Sequence, residues 1–246
     1  MTLSVLKFDD YDLDRFLPVA AGFGQEHYGF VVTPNADHLI RLDESPEFCE
    51  LYERARYVLL DSRFISHLVV AGGGTRLPVC AGSDLTARLF SDIIKPDDKL
   101  VLIGARAEQA EQLRARYGLR GLQHYNPPMG FIRNPEAVED CLKFIESHSP
   151  FRFCFLAVGS PQQEIVARHL GERAQARGLA LCIGASIDFI TGAEQRAPLW
   201  LQKLGLEWLF RLMQSPKRLG KRYLVRGPRV FGLLRRTRIE LRPISR

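Results

Sequence analysis

Short apolar runs alternate with longer stretches of helical periodicity along most of the chain. Tyr28 to Val32 is an apolar run that stops at Thr33-Pro34-Asn35, and Tyr57-Val58-Leu59-Leu60 ends on Asp61. Lys99 to Ile103 leads to Gly104, Phe153 to Val158 runs into Gly159-Ser160-Pro161-Gln162-Gln163-Glu164, and Ala180 to Ile183 leads to Gly184-Ala185-Ser186. Helices are predicted over Tyr11 to Gly22, Pro46 to Ala55, Gly82 to Ile94, Glu108 to Tyr117, Pro135 to Ser147, and from the glycine-proline turn to Ala176. Strands without polar alternation are those covered on both faces, and strands separated by helices indicate βαβ units. The expected fold is therefore α/β, a Rossmann-like three-layer domain with a largely parallel sheet over residues 1–195.

The last fifty residues read differently. Trp200, Leu201, Leu204, Trp208, Leu209 and Leu212 recur near helical spacing and predict one amphipathic helix from Trp200 to Met213. From position 200 onward thirteen Lys and Arg stand against Glu207 and Glu240, whereas residues 1–199 hold 21 Lys and Arg and 26 Asp and Glu. The overall charge of +6 is thus concentrated at one end of the chain. Residues 196–246 are read as a basic helical appendage, and a basic segment with Trp and Leu suits an anionic surface, phospholipid or nucleic acid.

Composition narrows the setting. Met1 to Asp14 carries acidic residues where a signal peptide needs a positive start, and no stretch reaches the roughly 18 apolar residues of a membrane span. Any membrane contact is expected to be peripheral. The five cysteines form no CxxC pair and sit partly in apolar runs, which points to reduced thiols in a cytoplasmic protein. The six histidines show no metal-ligand spacing, and no metal is expected. Asp10-Tyr11-Asp12 and Asp12-Leu13-Asp14 match a DxD pattern, but an acidic helix start gives the same match. Gly72-Gly73-Gly74 has neither P-loop nor dinucleotide spacing and is read as a turn.

Candidate chemistry lies where strands end. Asp61 follows an apolar strand, where partial desolvation raises a carboxylate pKa and suits it to proton abstraction; a helix cap is the alternative. Thr33 and Asn35 are placed to hydrogen-bond a sugar or phosphate, or to build the turn around Pro34. The glycine, proline and first-turn residues Gly159 to Glu164 make either an anion-binding helix N-terminus, fit for a nucleotide diphosphate, or a well-capped helix.

Taken together these segments resemble the WecG/TagA/CpsF family, glycosyltransferase family 26. The resemblance runs from Val31 to Arg222 and rests on Thr33-Pro34-Asn35, Gly82-Ser83-Asp84-Leu85, Gly159 to Glu164, Asp188-Phe189 with Gly192, and Arg196-Ala197-Pro198. Glu207-Trp208-Leu209-Phe210-Arg211 followed by Pro216, Arg218, Arg222 and Tyr223 extends it. It implies inverting, metal-independent transfer from a UDP-sugar to a polyprenyl-diphosphate-linked saccharide in bacterial surface-polymer synthesis, with no cofactor beyond the donor substrate. It places Asp61 as general base, with Thr33 and Asn35 at the sugar. Ser83, Asp84, Gly159, Gln163, Glu164 and Arg196 fall in the substrate pocket. Arg211, Arg218, Lys221 and Arg222 fall at diphosphate charge. The basic segment would lie on the inner face of the cytoplasmic membrane, with no nucleic-acid partner, and a homo-oligomer is compatible with this reading. One motif departs: the family's D-G-x-G is here Asp61-Ser62-Arg63-Phe64, which adds bulk where the donor sugar is expected. The alternatives are a non-catalytic subunit of a polysaccharide-assembly complex and a nucleic-acid-binding protein using the basic tail.

Overall fold

The apolar runs become strands of one parallel sheet in the computed structural model, which describes residues 5–243. The chain opens with β1 (Val5–Asp9), α1 (Leu13–Ala21) and β2 (Tyr28–Val32), then passes through α2 (Ala36–Glu44) and α3 (Pro46–Glu53) to β3 (Tyr57–Val58). Next come α4 (Arg63–Ala71), α5 (Gly82–Arg88) with a π-helical continuation over Leu89–Ile93, β4 (Leu100–Gly104), α6 (Ala107–Tyr117) and β5 (Leu122–Tyr125). Then follow α7 (Pro135–Ser147), β6 (Phe153–Ala157), α8 (Gln162–Gly171), β7 (Gly178–Cys182) and α9 (Ser186–Thr191). The basic segment holds α10 (Leu199–Lys203), α11 (Glu207–Gln214), α12 (Pro216–Gly220), a π-helical stretch over Lys221–Arg226, α13 (Arg229–Arg236) and β8 (Arg238–Arg242).

Six strands pair in the order β3-β2-β7-β6-β4-β5, all parallel. Because side chains alternate across a strand, neighbouring residues feed opposite layers. Phe30, Val32, Cys154 and Leu156 pack on one face with Leu39 of α2, Phe48 of α3, Ile145 of α7 and Leu170 of α8. Val31, Phe153, Phe155 and Leu181 pack on the other with Leu85 of α5, Leu113 of α6 and Ile187 of α9. The result is a Rossmann-like three-layer fold. Its two apolar layers explain why the strands carry no polar alternation.

This arrangement also fixes where a ligand can enter. Leaving β2, the chain turns to α2 on one face; leaving the adjacent β7, it turns to α9 on the other. Two connections that part in this way open a crevice at the carboxyl ends of the strands.

The structure departs from the sequence reading at several elements. Leu59 and Leu60 extend the Tyr57 run but leave the sheet, Leu59 N–H donating to Val32 O (3.0 Å) and Leu60 O accepting from Cys80 N–H (2.9 Å). The single helix expected from Trp200 to Met213 is two helices, α10 and α11, parted at Gly205. Gly205 has φ +73°, and a Cβ there would lie 3.0 Å from the Phe64 backbone, so both conformation and space demand glycine. The helix expected to reach Ala176 stops at Gly171. Helices α2 and α4 and strands β1, β5 and β8 were not among the expected elements.

The basic segment is not all helix. β8 pairs in parallel with β1, from Val5 opposite Arg238 to Asp9 opposite Arg242. Asp9 sits at the junction, accepting from Val58 N–H (2.6 Å) and from the Arg242 guanidinium (2.7 Å). Asp12 caps α1 by accepting from Arg15 N–H (2.9 Å), the role open to an acidic helix start.

Candidate active site

A cavity of about 750 Å³ occupies the crevice between β2 and β7 and is roofed by the basic segment. Thr33, Asn35, Asp61, Ser83, Gly159, Gln163, Arg211 and Arg222 line it together, although they come from six separate stretches of sequence. Asp84, Glu164, Arg196 and Lys221 do not line it. Arg218 lies in α12, but its side chain is outside the described residues.

Asp61 stands where the Tyr57 run ends, its N–H donating to Pro34 O (2.9 Å). Burial foremost, together with the nearby Glu207 carboxylate and against a partial offset from Arg211, pushes its carboxyl up to about 8. It is not a helix cap: Ser62 takes that place, its Oγ accepting from Ile65 N–H (3.2 Å) at the start of α4. A carboxyl with this pKa is an unusually strong base once ionised, and its ionised fraction grows as pH rises toward 8.

The turns on either side are held tightly. Asn35 caps α2, its Oδ1 accepting from Asp37 N–H (3.1 Å) and His38 N–H (3.4 Å). Thr33 Oγ1 would be 2.7 Å from a Cβ at position 82, so Gly82 lets the two strand-end loops meet. Gln163 bridges α8 to the loop after β7, its Oε1 accepting from Gly184 N–H (2.9 Å). Its Nε2 donates to Glu164 Oε1 (3.0 Å), and Glu164 lies wholly buried behind the wall. Burial holds the Glu164 carboxyl above its usual range. His38 Nε2 faces it at 3.8 Å, and burial, with Arg222 and Arg41, drives the His38 pKa down to about 3, so the ring is neutral.

The remaining motif residues form the wall. Asp84 pairs with Arg196 (2.6 Å) and Arg63 (3.1 Å). Burial opposes its ionisation, yet the two guanidiniums hold its pKa below the ordinary value. The stretch Ser62-Arg63-Phe64, which stands where the family has G-x-G, has a visible use here. Arg63 joins that pair, and the Phe64 ring packs against Trp208 and Phe231, each at 6.2 Å between centroids, so both side chains tie the basic segment to the body.

Positive charge lines the opposite side. Arg41 donates to Ser160 O (3.2 Å) at the mouth of α8 and pairs with Asp37 (2.9 Å). Arg222 reaches Asp37 at 3.3 Å, and Arg211 lies over the Phe189 ring at 5.5 Å. The Nε atoms of Arg211 and Arg222 and the Trp208 Nε1 are buried with no hydrogen-bond partner. Buried donors without acceptors are uncommon in a finished protein interior and mark where a ligand's oxygens belong. Asp188 also faces the cavity, fixed by Gln109 Nε2 (2.8 Å).

Sequence reasoning did not single out Asp37, His38, Arg41, Asp188, Phe189, Glu207 or Trp208 as site residues. Glu207 carried a readable signal, since Glu207 and Arg211 stand four apart and share one face of α11. For α2 none was available, because its buried face includes Asp37 and His38.

A model of the glycosyl transferase WecG/TagA/CpsF family matches residues 1–243. The chain belongs to this family. The match takes in both the three-layer body and the basic segment with β8, so the protein is a glycosyltransferase of the kind associated with surface polymers. All five cysteines are free, four of them buried. Among the described residues no helix is long and apolar enough to cross a membrane, and no group of three or more His, Cys, Asp or Glu is placed to hold a metal ion.

Proposed function

We propose that this glycosyltransferase moves a sugar, with inversion and without a metal, from a UDP-sugar to a polyprenyl-diphosphate-linked saccharide in bacterial exopolysaccharide or cell-surface polymer synthesis. One observation carries the reading: a carboxyl raised to about 8 shares a cavity with Arg211 and Arg222, each of which keeps a buried Nε donor without a hydrogen-bond partner. Asp61 takes the proton of the acceptor hydroxyl as its oxygen bonds to the anomeric carbon. The bond from that carbon to the diphosphate breaks, and UDP leaves with the electron pair. Arg211 and Arg222, with the N-terminus of α8, stabilise the charge gained by the leaving diphosphate.

Purified protein, UDP-sugars and a short-chain polyprenyl-diphosphate-saccharide test this directly. Asp61→Asn is expected to lower acceptor-dependent UDP release by about 10²-fold or more. Release at the wild-type rate removes Asp61 from the role of base. No release by wild type with any donor favours a non-catalytic assembly subunit instead.

The basic segment supports a place at the membrane surface. Leu199, Trp200, Leu204, Met213, Leu224 and Val225 are exposed apolar side chains interspersed with Lys203, Lys217 and Lys221. Such a mixture inserts shallowly into an anionic leaflet, and the neighbouring cavity would receive the acceptor's head group. Met213→Ser with Val225→Ser, neither of which lines the cavity, is expected to reduce co-sedimentation with phosphatidylglycerol vesicles several-fold while leaving UDP-sugar binding intact. Unchanged sedimentation would place membrane contact elsewhere.

A further inference from the structure

A second cavity, of about 630 Å³, opens at the other end of the same strands. Its wall includes His27 to Phe30 at the start of β2 and Arg177 just ahead of β7, whereas the catalytic cavity lies beyond their carboxyl ends. Along β2 the second cavity's wall ends at Phe30 and the catalytic cavity's begins at Thr33, so the buried Val31 and Val32 part them. Arg54, Arg56, Arg168, Arg173, Arg177 and Arg242 line this second cavity, with Glu26 the sole acidic residue in its wall.

Four of these arginines have a local account. Arg54 caps the end of α3, Arg168 lies in the last turn of α8 and Arg173 just beyond it, positions where a cation complements the helix dipole. Arg173 is also paired with Glu139 and Glu146, and Arg242 with Asp9. Arg56 and Arg177 have no such account. Each precedes a strand, and neither forms an ion pair among the described residues. Arg177 reaches only the Glu26 carbonyl oxygen (3.0 Å), and Arg56 lies over the Tyr57 ring at 5.7 Å. Arg54 pairs with Glu172 only at 3.7 Å, Arg168 pairs with Glu50 (3.3 Å) and Glu172 (3.7 Å), and the Arg242 Nε is buried without a partner.

Cations gathered around one concavity repel each other and raise the local concentration of anions. A planar guanidinium meets phosphate oxygens in pairs, and the cavity is within the range of small-molecule sites. None of the exposed large apolar side chains lines it, whereas Leu224 and Phe231 line the catalytic cavity. The ligand that suits it is therefore water-soluble. We propose that this cavity binds a soluble polyphosphate-bearing small molecule, held by Arg56 and Arg177 and separate from the donor and acceptor sites. Because Arg242 belongs to β8, the bound anion also contacts the strand that ties down the basic segment.

Calorimetric titration of the full chain with inorganic triphosphate at low salt tests the proposal. The comparison is between wild type, Arg56→Gln with Arg177→Gln, and Arg211→Ala with Arg222→Ala. The first double variant is expected to lose a binding event or weaken it at least about tenfold, while the second keeps it. Loss confined to the second variant overturns the proposal, since triphosphate then occupies the catalytic cavity alone; so does absence of binding by wild type. Arg56→Lys with Arg177→Lys, which keeps both charges, should bind at intermediate strength and melt like wild type. Phosphatidylglycerol vesicles form a separate arm: vesicle binding abolished by Arg56→Gln with Arg177→Gln would overturn the soluble ligand in favour of a lipid head group.

Discussion

Asp61 and Glu207 face one cavity as like charges, and the pair sets a testable pH dependence. In the proposed role of base Asp61 works only once it has lost its proton, so kcat/KM should climb with pH through about 8 and level off above. Glu207→Gln removes a charge that raises the Asp61 pKa, so the rising limb should move to lower pH; an unmoved limb excludes the coupling. The same group affects stability. Its folded pKa exceeds the ordinary 3.8, so the stability present below that value is lost as pH rises through about 8. Asp61→Asn should therefore raise the melting temperature relative to wild type more at pH about 9 than at pH about 5, as read by calorimetry. His38 works in the other direction. With a folded pKa of about 3 against an ordinary 6.5, it removes stability as pH falls below about 6.5.

At the scale of elements, the contact of α4 with α11 and α13 decides whether the cavity has a roof. Phe64→Ala deletes a half-buried ring shared by Trp208 and Phe231, at a cost of roughly 1–3 kcal/mol. Gly205→Ala forces a left-handed conformation on a residue with a Cβ, at about 1–2 kcal/mol. Both should speed proteolysis within residues 199–236 more than within the body; equal rates would show the roof does not depend on this junction. Legibility in the sequence followed burial and polarity. β2 and α7 were readable to the residue, because Tyr28 to Val32 is wholly apolar and Pro135 to Ser147 has a clear start and a periodic face. β5 was hidden because Leu122-Gln123-His124-Tyr125 is an edge strand with one apolar run too short to register. α2 was hidden because its buried residues include Asp37 and His38. The turns that line the cavity were legible from their glycines and prolines. Arg41 becomes a site residue only through distant packing, and no local pattern marks that.

At the scale of the whole molecule, charge is segregated along the chain but reconnected in space. Arg226 and Arg229 of the basic segment pair with Glu44 (2.6 and 2.5 Å), Arg236 with Asp43, and Arg242 with Asp9. The mild acidity of the body is thus partly spent on holding the segment in place. Asp9→Ala leaves the Val58 N–H and Arg242 without their acceptor and should cost about 2–4 kcal/mol. Hydrogen exchange should then accelerate first in β8; a global change with β8 still protected would argue against it as the anchor.

The pairing of β8 with β1 makes the segment from α10 to α13 a strap fastened at both ends rather than a free tail. A strap of this kind that lifts to admit a substrate remains tethered at both ends. Its reclosure is then a unimolecular step at high effective concentration, insensitive to how much protein is present. The rate at which the roof closes again would follow from the strap's local reordering, not from a search for its partner surface.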